Sequence, residues 1–100
     1  MKGLTYTIKM KVWLHDGPAA WHFVTLPKKE SDEIRELFGG MSRGWGSLPV
    51  RAKLGMTTWE TSIFPDKESE AYILPLKEQI RKSEGVGVGS VVELVLEILI

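Results

Sequence analysis

One hundred residues, 43% apolar and 26% charged, point to a single soluble globular domain over residues 1–100, and a chain of this size buries roughly 65% of the surface it exposes when unfolded. Thirteen basic residues against thirteen acidic ones leave no net charge, which argues against a general attraction to nucleic acid or to an anionic membrane surface. No cysteine is present, which excludes disulfides, thiolate metal sites and cysteine nucleophiles.

Residues 3–14 alternate: Leu4, Tyr6, Ile8, Met10, Val12 and Leu14 share one face, and Thr5, Thr7, Lys9, Lys11 and Trp13 the other. Period two over this length predicts a half-buried strand. Asp16-Gly17-Pro18 signals a turn, and residues 20–26, with Trp21, Phe23 and Val24, complete a hairpin. After Leu26-Pro27 the period changes. Ser31 can cap a short helix whose first turn carries Asp32 and Glu33; Ile34, Leu37 and Phe38 give it one apolar stripe, and Gly39-Gly40 ends it.

The stretch GGMSRGWGSL has no periodicity and is expected to be a loop. Val50, Ala52, Leu54 and Met56 then alternate with Arg51, Lys53 and Gly55 in a third strand. A fourth, over 57–64, has Trp59, Thr61 and Ile63 on one face and Thr58, Glu60 and Ser62 on the other. Pro65-Asp66 turns the chain into a short fifth strand over 70–74. Pro75 opens a second short helix with Leu76 and Ile80 one turn apart, and Gly85 ends it. From Val91 to Ile100 a sixth strand carries an unbroken apolar face of Val92, Leu94, Leu96, Ile98 and Ile100. This C-terminal run is too short to span a bilayer as a helix and carries Glu93 and Glu97. The N-terminus lacks the apolar core of a signal peptide. A cytoplasmic location without membrane association is therefore expected.

FVTLPKKESDEIRELFGG and AYILPLKEQIRKSEGVG echo each other: strand, Leu-Pro, short charged helix with Ile-Arg, glycine stop. Two similar halves in a small β protein suggest a pseudo-symmetric barrel, whose closure removes sheet edges that six strands would otherwise expose. The expected fold is mainly β with two short helices, a small pseudo-duplicated barrel of about six strands.

Trp21, Leu26-Pro27, the segment RGWGSLPVRAKLGMTTWETSIFPDK with Gly44, Gly55, Trp59, Ser62 and Pro65, and YILPLKEQIRKSEGVGVGSVVE with Tyr72, Leu74-Pro75-Leu76-Lys77 and Arg81 carry a family likeness over nearly the whole chain. The sequence resembles the family known as domain of unknown function nineteen-oh-five. That resemblance implies a double-split β-barrel, a duplicated form of the swapped-hairpin half-barrel of bacterial regulators and antitoxins, and a bacterial or archaeal source. The family turn before the last strand usually reads Gly-Asp. Here it is Gly89-Ser90, and serine can still cap a turn. The family has no established activity, so the likeness informs architecture more than function.

Few motifs carry chemistry. Gly40-Met41-Ser42-Arg43-Gly44 fits the spacing of a nucleophile elbow, but that device needs a strand before the serine, a helix after it and a large α/β sheet. Here a helix precedes it. Gly85-Val86-Gly87-Val88-Gly89 runs from helix to strand, the reverse of a phosphate cradle, and a helix stop plus a tight turn explains it. His15 and His22 lack metal-ligand spacing, and the acids from Glu30 to Glu36 lie on a solvated helix face. No cofactor and no metal are expected.

Four tryptophans are the least ordinary feature. Aromatics usually serve cores, so they are expected to fill the barrel and its ends. Trp13 is the exception, on the polar face of strand one among Thr and Lys, and Trp45 lies in the glycine-rich loop near Arg43, Arg51 and Lys53. A closed barrel would bring Lys77 and Arg81 toward the same end. Aromatic rings beside Arg and Lys suit an anionic or flat ligand. The candidate ligand-binding set is Trp13, Arg43, Trp45, Lys53, Lys77 and Arg81; Lys9 and Lys82 read as solvated.

The expected function is a non-catalytic small-barrel binding module for a small anionic or aromatic ligand or a protein partner. The alternative is a dimeric DNA-binding regulator of the swapped-hairpin type. Zero net charge weighs against it, and so does the duplication, since one chain carries both halves of a barrel. A hydrolase using Ser42 ranks last on size and context.

Overall fold

The alternating segments become six strands, seen in a computed structural model that describes residues 4–17 and 20–100. They are β1 (Thr5–Leu14), β2 (His22–Thr25), β3 (Leu48–Leu54), β4 (Thr57–Asp66), β5 (Ala71–Pro75) and β6 (Val91–Ile98). Two helices, α1 (Lys28–Phe38) and α2 (Glu78–Glu84), interrupt them. All pairings are antiparallel, and the order β1-β2-β5-β4-β3-β6 closes on itself as a barrel. The expected architecture is the one observed. Gly3 of the predicted first strand and Pro18 of the predicted turn lie outside the described residues.

The barrel is doubly split. β1 pairs with β6 from Thr5 to Lys11 and then with β2 from Val12 to Leu14. β4 likewise pairs with β3 from Thr57 to Ile63 and then with β5 from Phe64 to Asp66. Inward-facing side chains fill the interior: Val24, Leu48, Val50, Ala52, Ile63, Leu74, Leu94, Leu96 and Ile98 are completely buried.

The halves are related by a pseudo-twofold axis that the register makes explicit. Val24 faces Leu74, flanked by Phe23 opposite Pro75 and Thr25 opposite Ile73. Beyond them the Leu26 amide donates to the Tyr72 carbonyl at 2.8 Å and the Leu76 amide to the His22 carbonyl at 2.9 Å. Leu26 thus corresponds to Leu76, and Thr25 rather than Pro27 corresponds to Pro75. The repeated Leu-Pro of the sequence is out of step with the structural repeat by two residues. Pro75 consequently belongs to β5, and Lys77 occupies the position just before α2, as Pro27 does for α1, neither with a side-chain capping bond. Each helix is tied to the first half of the long strand of its own repeat: Tyr6 donates to Glu33 at 2.7 Å and Thr57 to Glu84 at 2.5 Å.

Several local expectations are corrected. Ser31 does not cap α1, which starts three residues earlier; it is fully buried, and its Oγ accepts the Tyr72 amide at 3.0 Å and donates to the Leu26 carbonyl at 3.5 Å. Leu37 of the α1 stripe is 48% exposed, because Ile34 and Phe38 alone face the barrel. Leu4, Leu14 and Ile100 lie at strand ends and are exposed, and Met56 stands out at the β3–β4 turn. In that turn Gly55 has φ +59°, and a Cβ there would collide with the Glu84 carboxylate. Gly85 ends α2 in the left-handed conformation, as the sequence implied. Ser90 does cap its turn: its Oγ accepts the Gly87 amide at 3.0 Å.

Only Trp59 among the tryptophans joins the core. Trp21 is 52% exposed and Trp45 is 93% exposed, which overturns the expectation that they fill the barrel and its ends. The reason is phase: Trp21 precedes β2 and Trp45 sits in the tight turn Gly44–Gly46, so neither has an inward position to occupy.

Candidate functional site

Strand alternation places inward and outward residues with equal regularity, and on one wall the outward set is aromatic. Across β1, β2, β5 and β4, Trp13 stands opposite Phe23 and Phe23 opposite Pro75; one step along, Thr25 faces Ile73 and Ile73 faces Phe64. Trp13, Phe23, Phe64, Ile73 and Pro75, with Trp21, line a cleft of about 490 Å³ on the outside of the barrel. It straddles the pseudo-twofold axis.

The rings are held in place. The Trp13 indole Nε1 donates to Thr25 Oγ1 at 2.8 Å. The Phe23 ring lies 5.1 Å from that of Trp13, tilted by 36°. Trp21 stacks on Phe23 at 6.0 Å with 11° between planes, and His15 meets Phe23 edge-on at 6.1 Å. The main chain supports this cluster, since the His15 amide donates to the Trp21 carbonyl at 2.7 Å. Asp66, Lys67 and Glu68 of the β4–β5 hairpin form the charged rim. The Asp66 carboxylate is already engaged, accepting the Ser69 hydroxyl at 2.7 Å and its amide at 3.3 Å.

A smaller cleft of about 220 Å³ adjoins the first and shares Trp21 and Pro75 with it; Trp59, Glu60, Thr61 and Lys77 complete its lining. A further hollow beside Lys28, Arg35 and Lys67 has less to offer. There Lys28 and Arg35 both donate to the Glu70 carbonyl and both pair with Asp32, at 2.8 and 3.2 Å. Those cations are spent on pinning α1 to the hairpin.

The structure thus places two of the six candidates at adjoining clefts: Trp13 in the larger and Lys77 in the smaller. Arg43, Trp45, Lys53 and Arg81 line neither. Lys53 pairs through Val95 with Thr7, and six residue steps of β1, about 20 Å, separate Thr7 from Trp13. Arg81 uses its Nε to bond the Leu76 carbonyl at 3.0 Å, which mirrors the Ser31–Leu26 contact in the other half. Arg43 closes its loop through the Ser47 carbonyl at 2.8 Å. Arg51 bridges Glu60 and Glu97 on the neighbouring strands at 3.1 and 2.9 Å, and these hydrogen bonds hold its pKa above the ordinary value.

Sequence reasoning missed Trp21, Phe23, Phe64, Ile73 and Pro75. A signal for Phe64 was present: it falls in phase with Thr58, Glu60 and Ser62, an apolar ring on a polar face, as Trp13 is in β1.

Among the described residues no group of three or more His, Asp or Glu is arranged to hold a metal ion, and no helix is long and apolar enough to cross a membrane. Ser42 follows a tight turn at the end of α1 and not a strand. No curated protein matches the chain. Residues 9–96 match the family described as Domain of unknown function (DUF1905), and with this match covering most of its length the chain belongs to that family.

Proposed function

We propose that this DUF1905 domain is a non-catalytic binding module and that its site is the outer aromatic cleft, which takes a small ligand with a flat aromatic face. The observation that carries this reading is the outward row of Trp13, Phe23 and Pro75 beneath an open volume of about 490 Å³. Small-ligand sites commonly fall at roughly 300–1,000 Å³ and are apolar with few polar groups. Each well-placed aromatic pair adds about 0.5–1.5 kcal/mol beyond its buried area. Because Thr25 already fixes the Trp13 indole, binding need not freeze that side chain, which lowers the entropic cost.

The non-catalytic part of the reading is supported by the histidines. His22 Nδ1 lies 3.0 Å from the Ala20 carbonyl, the His15 ring packs against Trp13 and Phe23, and among the described residues neither hydrogen-bonds a serine or a carboxylate. The DNA-binding alternative is weakened by the balance of thirteen basic and thirteen acidic residues, and Lys28, Arg35, Arg51 and Lys82 are each paired with a nearby acid.

The test is a titration with naphthylmethanol followed by the four indole N–H signals in a heteronuclear NMR spectrum. The Trp13 and Trp21 signals are expected to shift and saturate while that of Trp45, on its exposed turn, stays still. Equal drift of all four, or none, rejects the cleft as the site.

A further inference from the structure

The smaller cleft gives the ligand a second end. Its walls are Trp59, Pro75 and Trp21, and its polar residues are Thr61, Glu60 and Lys77. Glu60 is turned to Arg51 at 3.1 Å. Lys77 enters no ion pair among the described residues. Its main chain is well fixed: it follows Leu76, whose amide is bonded to the His22 carbonyl of β2 and whose side chain is buried. An uncommitted ammonium therefore stands beside one cleft, while the other has aromatic and aliphatic walls and a rim of mixed charge in Asp66, Lys67 and Glu68. The two communicate across a single indole, that of Trp21, which lines both and is half exposed.

We infer that the two clefts are subsites of one site, and that its ligand class is an aromatic carboxylate in which a flat ring and an anionic group are joined by a short tether. The ring lies against Trp13 and Phe23, the tether crosses Trp21 and Pro75, and the carboxylate meets Lys77. The charge pattern selects this direction. The rim of the larger cleft offers Asp66 and Glu68 against Lys67 and so gives an anion no net attraction there, whereas in the smaller one Glu60 is paired with Arg51 and Lys77 is left as the cation. This inference rests on the proposed reading of the larger cleft and adds the second subsite to it.

The experiment measures dissociation constants of naphthylbutanoate and of its neutral counterpart naphthylbutanol, by calorimetry, for the wild-type protein and for Lys77→Gln and Lys53→Gln. Thermal melts check that the variants fold. The wild type is expected to prefer the carboxylate by about fivefold, the scale of an exposed ion pair, and to lose that preference at high salt. Lys77→Gln should level the two probes without weakening naphthylbutanol, and Lys53→Gln, at a residue that lines neither cleft, should change neither. Equal affinities in the wild type overturn the two-subsite inference and leave the aromatic cleft standing. A preference that survives Lys77→Gln, or that disappears with Lys53→Gln, places the anion elsewhere and also overturns it. If neither probe binds, the reading of the cleft itself fails.

Discussion

Trp13 and Thr25 stand diagonally across the β1–β2 ladder, and the indole Nε1 of the first donates to the hydroxyl of the second at 2.8 Å. Diagonal neighbours on one sheet face are within reach only for long side chains, so the bond sets how the largest ring of the cleft lies. Thr25→Val keeps the shape and removes the acceptor. It is expected to cost about 1 kcal/mol in urea unfolding, the usual worth of such a bond. It should also speed exchange of the Trp13 indole proton with solvent, measured by NMR. Unchanged exchange would mean that the ring is held by packing alone.

The two faces of α1 differ sharply, and stability should report it. Ile34 is completely buried while Leu37 is 48% exposed. Ile34→Ala is expected to cost about 2–5 kcal/mol and Trp59→Ala about 3–5 kcal/mol, the range for large-to-small core changes. Leu37→Ala should stay within about 0.5 kcal/mol, as surface changes do. Chemical denaturation of the three variants tests the assignment of the core.

Ser31 offers a separate test of how α1 is attached. Its buried hydroxyl serves the Tyr72 amide and the Leu26 carbonyl, both in the seam between β2 and β5. Ser31→Ala strands a buried amide, which costs about 1–3 kcal/mol. Ser42→Ala, on an exposed loop, should be neutral. A fall in protection of the Tyr72 amide in hydrogen exchange would locate the damage.

Both tyrosines resist ionisation. Burial, then the hydrogen bond to Glu33, pushes the Tyr6 hydroxyl well above its ordinary value of 10.0, and burial raises Tyr72 against the opposing pull of Arg35. A group whose folded pKa is raised stabilises the fold fully below its unfolded pKa and loses that contribution as pH rises. Stability should therefore be flat with respect to the tyrosines up to about pH 10 and decline above it. Tyrosinate absorbance should lag behind that of a denatured sample. Tyr6→Phe should lose the Glu33 bond and reduce the alkaline decline.

Much of this fold could be read from alternation. The inward positions of β3 and β6 are apolar without a break, and their outward neighbours are mostly charged or small, so both strands and their facing were legible. The closure of the barrel was legible through the repeated halves but its strand order was not, and the repeat was misaligned because Leu-Pro recurs at Pro27 and Pro75 by coincidence of composition. Only the register pairs Thr25 with Ile73 and so shows the true correspondence. The cleft was less accessible. Its lining comes from four strands, and Phe23 meets Pro75 and Ile73 meets Phe64 through pairings distant in sequence. Trp13 was visible as an aromatic on a polar face. Lys77 was singled out for its charge, while Arg81 beside it proved to have its Nε bonded inward, a use that charge alone does not reveal.

The cleft lies where the halves of the barrel meet, and there the backbone repeats while the side chains do not: Phe23 answers to Ile73, Thr25 to Pro75, and Trp13 to Phe64. A groove that kept its symmetry would admit an elongated guest equally well in either sense, giving it two equivalent poses. Here one approach is paved with the indole and phenyl rings of Trp13 and Phe23 and the other with Phe64, Ile73 and Pro75, so reversing a guest exchanges its neighbours at every step. The duplication supplies the channel, and the divergence of its two copies makes that channel one-way.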